Sequence, residues 1–275
     1  MRSYAVTIPS RAMPAAPPQP ARDTTPLGTG FAQTTSMQIH RLHGISAYSH
    51  LIETDEALFL VDTGAPGHGG TILRAIREIG RRPDELRLAI VTHGHADHFG
   101  GIAELQAVAD FPVAAHPAHA KTIGGGAILV SPGFGPVMRL YELFARVALP
   151  ISNLQGARNV FSVADGERLD RFGLPGRILY TPGHSQGDIS VILDDGSAFV
   201  GDTVQGRRIP GVTTPGLPGM GLDANAIVES WRKLMAAGIT TIYPAHGGVL
   251  TVDELKPVVD RATARQLWTR GTLRG

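Results

Sequence analysis

The segment Thr92-His93-Gly94-His95-Ala96-Asp97-His98 places three imidazoles and a carboxylate within six residues. One buried histidine is accounted for by a single hydrogen bond in a core. Three histidines and an aspartate packed this densely cannot all be satisfied that way. If neutral they crowd, and if charged they repel. A divalent cation removes both problems, because neutral imidazole and carboxylate are its natural ligands. Gly94 and Ala96 are small, so the loop can curl and let the side chains on either side converge. Three further pieces of the same kind follow: Thr181-Pro182-Gly183-His184, Gly201-Asp202-Thr203 and Pro244-Ala245-His246-Gly247.

The elements needed to position these groups are legible around them. Leu88–Thr92 is a continuous apolar run, read as a buried strand that ends directly on His93. The apolar stretches Ile178–Tyr180, Ala198–Val200 and Thr241–Tyr243 likewise end just before His184, Asp202 and His246. Strand ends and the loops after them are where sites collect in α/β folds, so four such loops point to one shared rim.

Upstream, Gln38–His43, Ala47–Glu53 and Ala57–Asp62 read as strands, and residues 69–80 as a helix with Ile72, Ile76 and Ile79 on one face. A short helix near 101–109, a strand at Pro112–His116 and a helix from about Pro117 come next. Residues 137–148 form an amphipathic helix, with Val137, Leu140, Tyr141, Phe144 and Val147 at helical spacing. Together with the Gly- and Pro-rich stretch before it, this reads as an insertion or lid over 124–158 beside the site; the other reading is a surface helix packed on its own apolar face. Strands are expected at Val160–Ala164, Arg177–Tyr180, Ile189–Leu193, Ser197–Val200 and Thr240–Tyr243. A Gly/Pro-rich loop is expected over 206–222. A helix spans Ala224–Ala237, with Asp223 as N-cap and Gly238 as stop, and a last helix starts at about Val252.

Composition narrows the chemistry. The chain has no cysteine, so thiolate metal sites, disulfides and cysteine nucleophiles are excluded, and a metal site must use the eleven histidines and the carboxylates. This fits a cytoplasmic protein. A net charge of +1 gives no field for nucleic acid or a membrane surface. No run approaches the roughly 18 apolar residues of a membrane span. Residues 1–36 carry Pro14, Pro17, Pro18, Pro20 and Pro26 and no apolar stretch of signal-peptide length, so they read as a disordered or loosely draped tail before a single domain over 37–275. There is no G-x-S-x-G elbow, phosphate loop, dinucleotide fingerprint or H-E-x-x-H helix.

Taken in order, His93, His95, Asp97, His98, His184, Asp202 and His246 fill the H-x-H-x-D-H signature and the later His, Asp and His of the metallo-β-lactamase superfamily, which the chain resembles over about residues 38–265. The resemblance implies an αββα four-layer α/β sandwich with two metal ions at one edge. It implies that His93, His95 and His184 hold the first zinc, that Asp97, His98 and His246 hold the second, and that Asp202 bridges them, with iron or manganese as other metals. A water or hydroxide between the metals would be the nucleophile, and Asp97 would orient it and pass a proton to the leaving group. Asp62 matches a position that supports the histidine loop; the other reading is a turn aspartate capping local backbone.

Fold alone does not give substrate. The full ligand set is that of glyoxalase II-like thioesterases and of lactonases, so the expected reaction is hydrolysis of an ester, lactone or thioester of a small molecule. Only 29 residues follow His246, which leaves little room for a glutathione-binding helical region. Alternatives are a mononuclear iron sulfur dioxygenase, a metal-dependent phosphodiesterase or a β-lactamase. A homodimer is compatible with the sequence. His116 and His119 are assigned to a polar loop or a satisfied core, Asp188 to structure, and His50 to a strand.

Overall fold

The computed structural model describes residues 37–148, 154–209 and 212–263. The proline-rich tail expected over 1–36 lies outside them. The first half contains β1 (Met37–His43), β2 (Tyr48–Thr54), β3 (Leu58–Val61), α1 (Gly69–Glu78), β4 (Leu86–Ile90), α2 (Ala96–Phe99), α3 (Ile102–Gln106), β5 (Val113–Ala115), α4 (Pro117–Gly125), α5 (Gly135–Ala148) and β6 (Val160–Ser162). The second contains β7 (Gly176–Tyr180), β8 (Ile189–Leu193), β9 (Ser197–Gly201), β10 (Gln205–Ile209), β11 (Val212–Gly216), α6 (Ala224–Ala236), β12 (Thr241–Pro244), β13 (Leu250–Thr251) and α7 (Val252–Thr263).

Strands β1 to β6 form one sheet in sequence order, antiparallel across β1–β2–β3 and parallel from β3 to β6. The second sheet runs β13-β12-β9-β8-β7, with only the β12–β9 pair parallel. Alternation along the strands divides apolar residues between the faces. Leu58 and Leu60 of β3 pack with Ile72 and Ile76 of α1 and Ile102 of α3, while Phe59 and Val61 turn the other way. There they meet Ile189, Val191 and Phe199 of the second sheet. Ala198, Val200 and Ile242 complete the outer face under Trp231 and Leu234 of α6 and Leu255 of α7. The layers are therefore helix, sheet, sheet, helix, as the sequence led us to expect.

The differences are local. The stretch read as a Gly/Pro-rich loop over 206–222 holds the β10–β11 hairpin in its first part, because glycine and proline permit a strand at a two-stranded edge without signalling one. The strand ending at His93 is shifted back to Leu86–Ile90, and Ala96–Phe99 makes a single helical turn inside the histidine segment. The α6 cap is as expected: Asp223 accepts from the backbone N–H groups of Asn225 and Ala226. Among the described residues no helix is long and apolar enough to cross a membrane.

His50 on β2 is buried between the sheets, with its ring 5.1 Å from that of Phe199 and 5.8 Å from that of Tyr243. Burial first, then the charge of Arg41 and the neighbouring His98, lowers its pKa from 6.5 to about 3. The unfolded chain takes up this proton near pH 6.5 and the folded one does not until about pH 3. Stability is therefore lost as pH falls below 6.5, by about 1.4 kcal/mol per pH unit from this group. In urea unfolding, His50→Leu should narrow the stability gap between pH 7 and pH 5 by about 2 kcal/mol; an unchanged gap would remove His50 from the account.

Candidate metal centre

Each donor loop is tied down by the layers behind it. Trp231 of α6 donates through Nε1 to the Thr203 carbonyl at 2.6 Å, and Ser230 donates to the Pro182 carbonyl at 2.7 Å. One helix thus fixes the loops that carry Asp202 and His184. Gly201, at φ +52°, turns the chain into Asp202; a Cβ there would lie 2.5 Å from Thr92 Oγ1. The His246 loop is joined to the second sheet by Ala245 N–H to the Gly201 carbonyl at 3.0 Å, and to the first by Tyr48 N–H to the Ala245 carbonyl at 2.8 Å. The Gly94 N–H, between His93 and His95, donates to His119 Nδ1 at 3.2 Å.

All seven sequence-predicted residues come together, in two groups. Donor atoms of His93, His95, His184 and Asp202 lie within 4.8 Å of one another, as do those of Asp97, His98 and His246. Asp202 also reaches the second group, with Oδ1 3.4 Å from His98 Nε2 and 3.2 Å from His246 Nε2. Its Oδ2 is 3.5 Å from His184 Nε2.

The hydrogen bonds behind the rings fix which nitrogen faces inward. The Thr92 hydroxyl donates to Asp62 Oδ2 at 2.8 Å, so it can only accept from His93 Nδ1 at 3.1 Å. The Ser131 hydroxyl donates to the His184 carbonyl at 2.8 Å and so accepts from His95 Nε2 at 3.0 Å. His184 Nδ1 donates to the Met220 carbonyl, His246 Nδ1 to the Ser46 carbonyl and His98 Nδ1 to Asp62 Oδ2, each at 2.8 Å. In every neutral ring the proton is on the outer nitrogen and the inner one is bare. Bare nitrogens then face each other at 3.0 Å (His93 Nε2 to His95 Nδ1) and 3.1 Å (His95 Nδ1 to His184 Nε2). Lone pairs that close repel unless a cation lies among them. His98 Nε2 and Asp202 Oδ1 are likewise sealed from solvent with no hydrogen bond. The donor set therefore fits divalent metal, with outer hydrogen bonds of the kind that orient metal-binding histidines.

The electrostatics agree. Burial, followed by the neighbouring imidazoles, holds His93 and His95 well below the ordinary histidine pKa, so both are neutral. At His98 burial opposes protonation, but Asp62, Asp202 and Asp97 outweigh it and raise its pKa well above normal. Burial would raise Asp202, yet His246 and His98 hold it well below the usual carboxylate range. The second group thus stores, as protons on its imidazoles, the positive charge that a cation would replace.

Asp62 takes the supporting role: Oδ1 accepts from Thr92 N–H and Oδ2 from Thr92 Oγ1 and His98 Nδ1, all at 2.8 Å. Asp188 is structural, accepting from the Ser185 N–H and hydroxyl, and His50 lies between the sheets rather than in the cavity. Spacing did not disclose Ser131, Ser46 or the Met220 carbonyl, which sit far along the chain from the rings they orient.

Above the donors lies a cavity of about 520 Å³. Asp97, His95, His184, Asp202 and His246 lie on one side of it, and Leu129, Val130, Met138, Tyr141, Ala145 and Met220 give it an apolar wall. Segments 131–134 and 219–221, which bring Ser131, Gly219 and Met220 to the cavity, are joined by the backbone, Phe134 N–H to the Gly219 carbonyl and Gly221 N–H to the Pro132 carbonyl, both at 2.8 Å.

The model of the metallo-beta-lactamase superfamily matches residues 44–246. Among curated proteins the chain is similar to the probable metallo-hydrolase YflN of Bacillus subtilis, 30% identical over 64% of this chain and 67% of that one. It is also similar to the atrochrysone carboxyl ACP thioesterase AacuM of Aspergillus aculeatus, 25% identical over 80% of this chain. The match spans only 56% of AacuM, and about half of several other curated relatives. The crystal structure of ST1585 from Sulfolobus tokodaii superposes with a TM-score of 0.59 at 21% identity, covering 86% of this chain and 90% of that one.

Proposed function

The chain belongs to the metallo-β-lactamase superfamily, and from that premise we propose that it is a binuclear zinc hydrolase cleaving an ester, lactone or thioester of a small, partly apolar molecule. The observation that carries the reading is the set of five imidazoles whose outer nitrogens are all committed to hydrogen bonds and whose inner nitrogens converge. Two zinc ions, one on His93, His95 and His184 and the other on Asp97, His98 and His246 with Asp202 between, would lower the pKa of a water to about 7 and polarise the scissile carbonyl.

The chain's own groups do the rest. The apolar wall of Leu129, Met138 and Tyr141 takes the body of the substrate and excludes water beside the reacting carbonyl. Asp97, at the cavity floor and held by the Ser46 hydroxyl at 3.2 Å, takes the proton of the attacking water on its carboxylate and returns it to the leaving oxygen or sulfur. The name of AacuM supports the thioester end of this range, and that of YflN supports hydrolysis in general.

The test is a panel of acyl thioesters, lactones and aryl esters, each assayed with and without chelator. Metal-dependent turnover of at least one carboxyl substrate is expected. Turnover confined to phosphodiesters, or iron-dependent oxygen uptake with persulfides, would replace this reading. Ser131→Ala should weaken binding of the ion at His93, His95 and His184 by roughly 10–100-fold, read by chelator competition, while Ser131→Thr keeps the hydroxyl and most of the affinity. Equal loss in both variants would show that the hydroxyl does not set the His95 tautomer.

A further inference from the structure

The cavity has two unlike ends. The apolar end is tied to the first donor group: Leu129 N–H reaches the Gly94 carbonyl at 3.4 Å, Ser131 bonds His95 and the His184 carbonyl, and the Met220 carbonyl accepts from His184. The polar end is tied to the second. There the Ser46 hydroxyl donates to Asp97, the Ser46 carbonyl accepts from His246, and the Gly206 N–H donates to the His246 carbonyl at 2.9 Å. A substrate whose scissile carbonyl sits between the two donor groups therefore runs along Leu129 and Met138 on one side and toward Ser46 and Gln205 on the other.

Gln205 follows Asp202 by three residues, and its backbone is held from both sides. Thr203 before it is bonded to Trp231, and Gly206 after it is bonded to the His246 loop. The approach there is so close that a Cβ at Gly247 would run into the Gly206 carbonyl. Val204 is turned into the core under α6, and Gln205, facing the other way, lines the cavity half-buried. At this end Ser46, Asp97 and His246 are all hydrogen-bonded to neighbours. The Gln205 carboxamide makes no hydrogen bond among the described residues. Its oxygen and its two N–H groups are kept for what enters the cavity.

Charge narrows what that is. Among the described residues no lysine or arginine lines the cavity, and Asp97 and Asp202 supply its carboxylates. With the metal charge engaged at the scissile carbonyl, a second anionic group at the polar end would give up water for two carboxylates and a neutral amide, a costly exchange. An amide or hydroxyl, which both donates and accepts, pairs with a carboxamide without that cost.

We propose that Gln205 is a specificity-determining residue that binds an uncharged amide or hydroxyl on the leaving group, while the acyl chain occupies the apolar end. Asp97, which returns the proton to the leaving atom, lies at the same end. The assignment rests on the hydrolase reading for the bond that breaks.

Three octanoate esters of phenols carrying a meta-carbamoyl, meta-carboxy or meta-methyl group test it on the zinc-loaded full chain. The wild type should prefer the carbamoyl to the carboxy ester by at least about 10-fold in kcat/KM. Gln205→Leu should lose about 10-fold on the carbamoyl ester, mainly through KM, and roughly 5-fold less on the methyl ester. Gln205→Met, which keeps the length of the side chain, should show the same selective loss. Calorimetry with the anilide of octanoic acid and meta-aminobenzamide reads binding without turnover, and affinity should fall about 10-fold in Gln205→Leu. A carboxy ester that is turned over as well as the carbamoyl one, or equal losses on all three esters, would overturn the proposal. So would an anilide that does not bind or binds both proteins alike. If no ester is turned over but the anilide still depends on Gln205, the hydrolase reading falls and Gln205 stands as the ligand-binding residue.

Discussion

Asp202→Asn should lower kcat/KM by at least about 10³-fold and strip the protein of one or both ions. Among the described residues Asp202 is the one carboxylate that reaches both donor groups, within 3.2–3.5 Å of His246, His98 and His184. Its low pKa shows how strongly the surrounding imidazoles favour the anion there. Asparagine has the same shape but no charge, and its amide can donate to the inner nitrogens that a cation needs bare. The variant should therefore fold while losing metal. Kinetics and elemental analysis on the same preparation check it: activity within 10-fold of wild type at full metal content would contradict the assigned role.

Asp62→Ala should act on stability and metal binding together. Asp62 is 1% exposed and receives three hydrogen bonds at 2.8 Å from Thr92 and His98. Without it, the Thr92 N–H and the His98 Nδ1–H are left buried and unpaired, and the buried positive charge that His98 carries without metal loses its partner. Removing one member of such a pair costs about 3–5 kcal/mol. Thr92 also loses the acceptor that makes its hydroxyl an acceptor for His93, so two rings in different donor groups are freed at once. Metal affinity should fall by roughly 10–100-fold at each. Urea unfolding of the metal-free protein reads the first effect and chelator competition the second. Loss of less than about 1 kcal/mol would reduce Asp62 to a turn residue.

The seven donors were legible in the sequence because the four loops that carry them each follow an apolar strand and contain glycine or proline, and chemistry alone makes His93, His95, Asp97 and His98 improbable as a core. The four-layer order was legible only through the family resemblance that those donors carry; the apolar run before His93 and the helical spacing of Ile72, Ile76 and Ile79 marked a strand and a helix without fixing how the layers stack. The partners that set the ring tautomers were not legible. The Met220 and Ser46 carbonyls are backbone groups with no side-chain signature. Ser131 is 36 residues from His95 in a Gly/Pro-rich stretch, and only the fold brings it there. His119 had a visible motif, His-Pro-Ala-His after a strand, and was read as a satisfied polar residue. Its acceptance of the Gly94 N–H adds that it braces the turn between two donors. The β10–β11 hairpin escaped because its glycines and prolines signal turns.

The central claim is tested most directly by the metal content of the full chain after reconstitution with zinc and removal of excess, compared with His95→Ala. Two zinc ions per chain in the wild type and about one in the variant, both proteins folded, is the predicted result. A folded wild type that retains no zinc would contradict it, because converging bare nitrogens would then have to coexist without the cation that explains them.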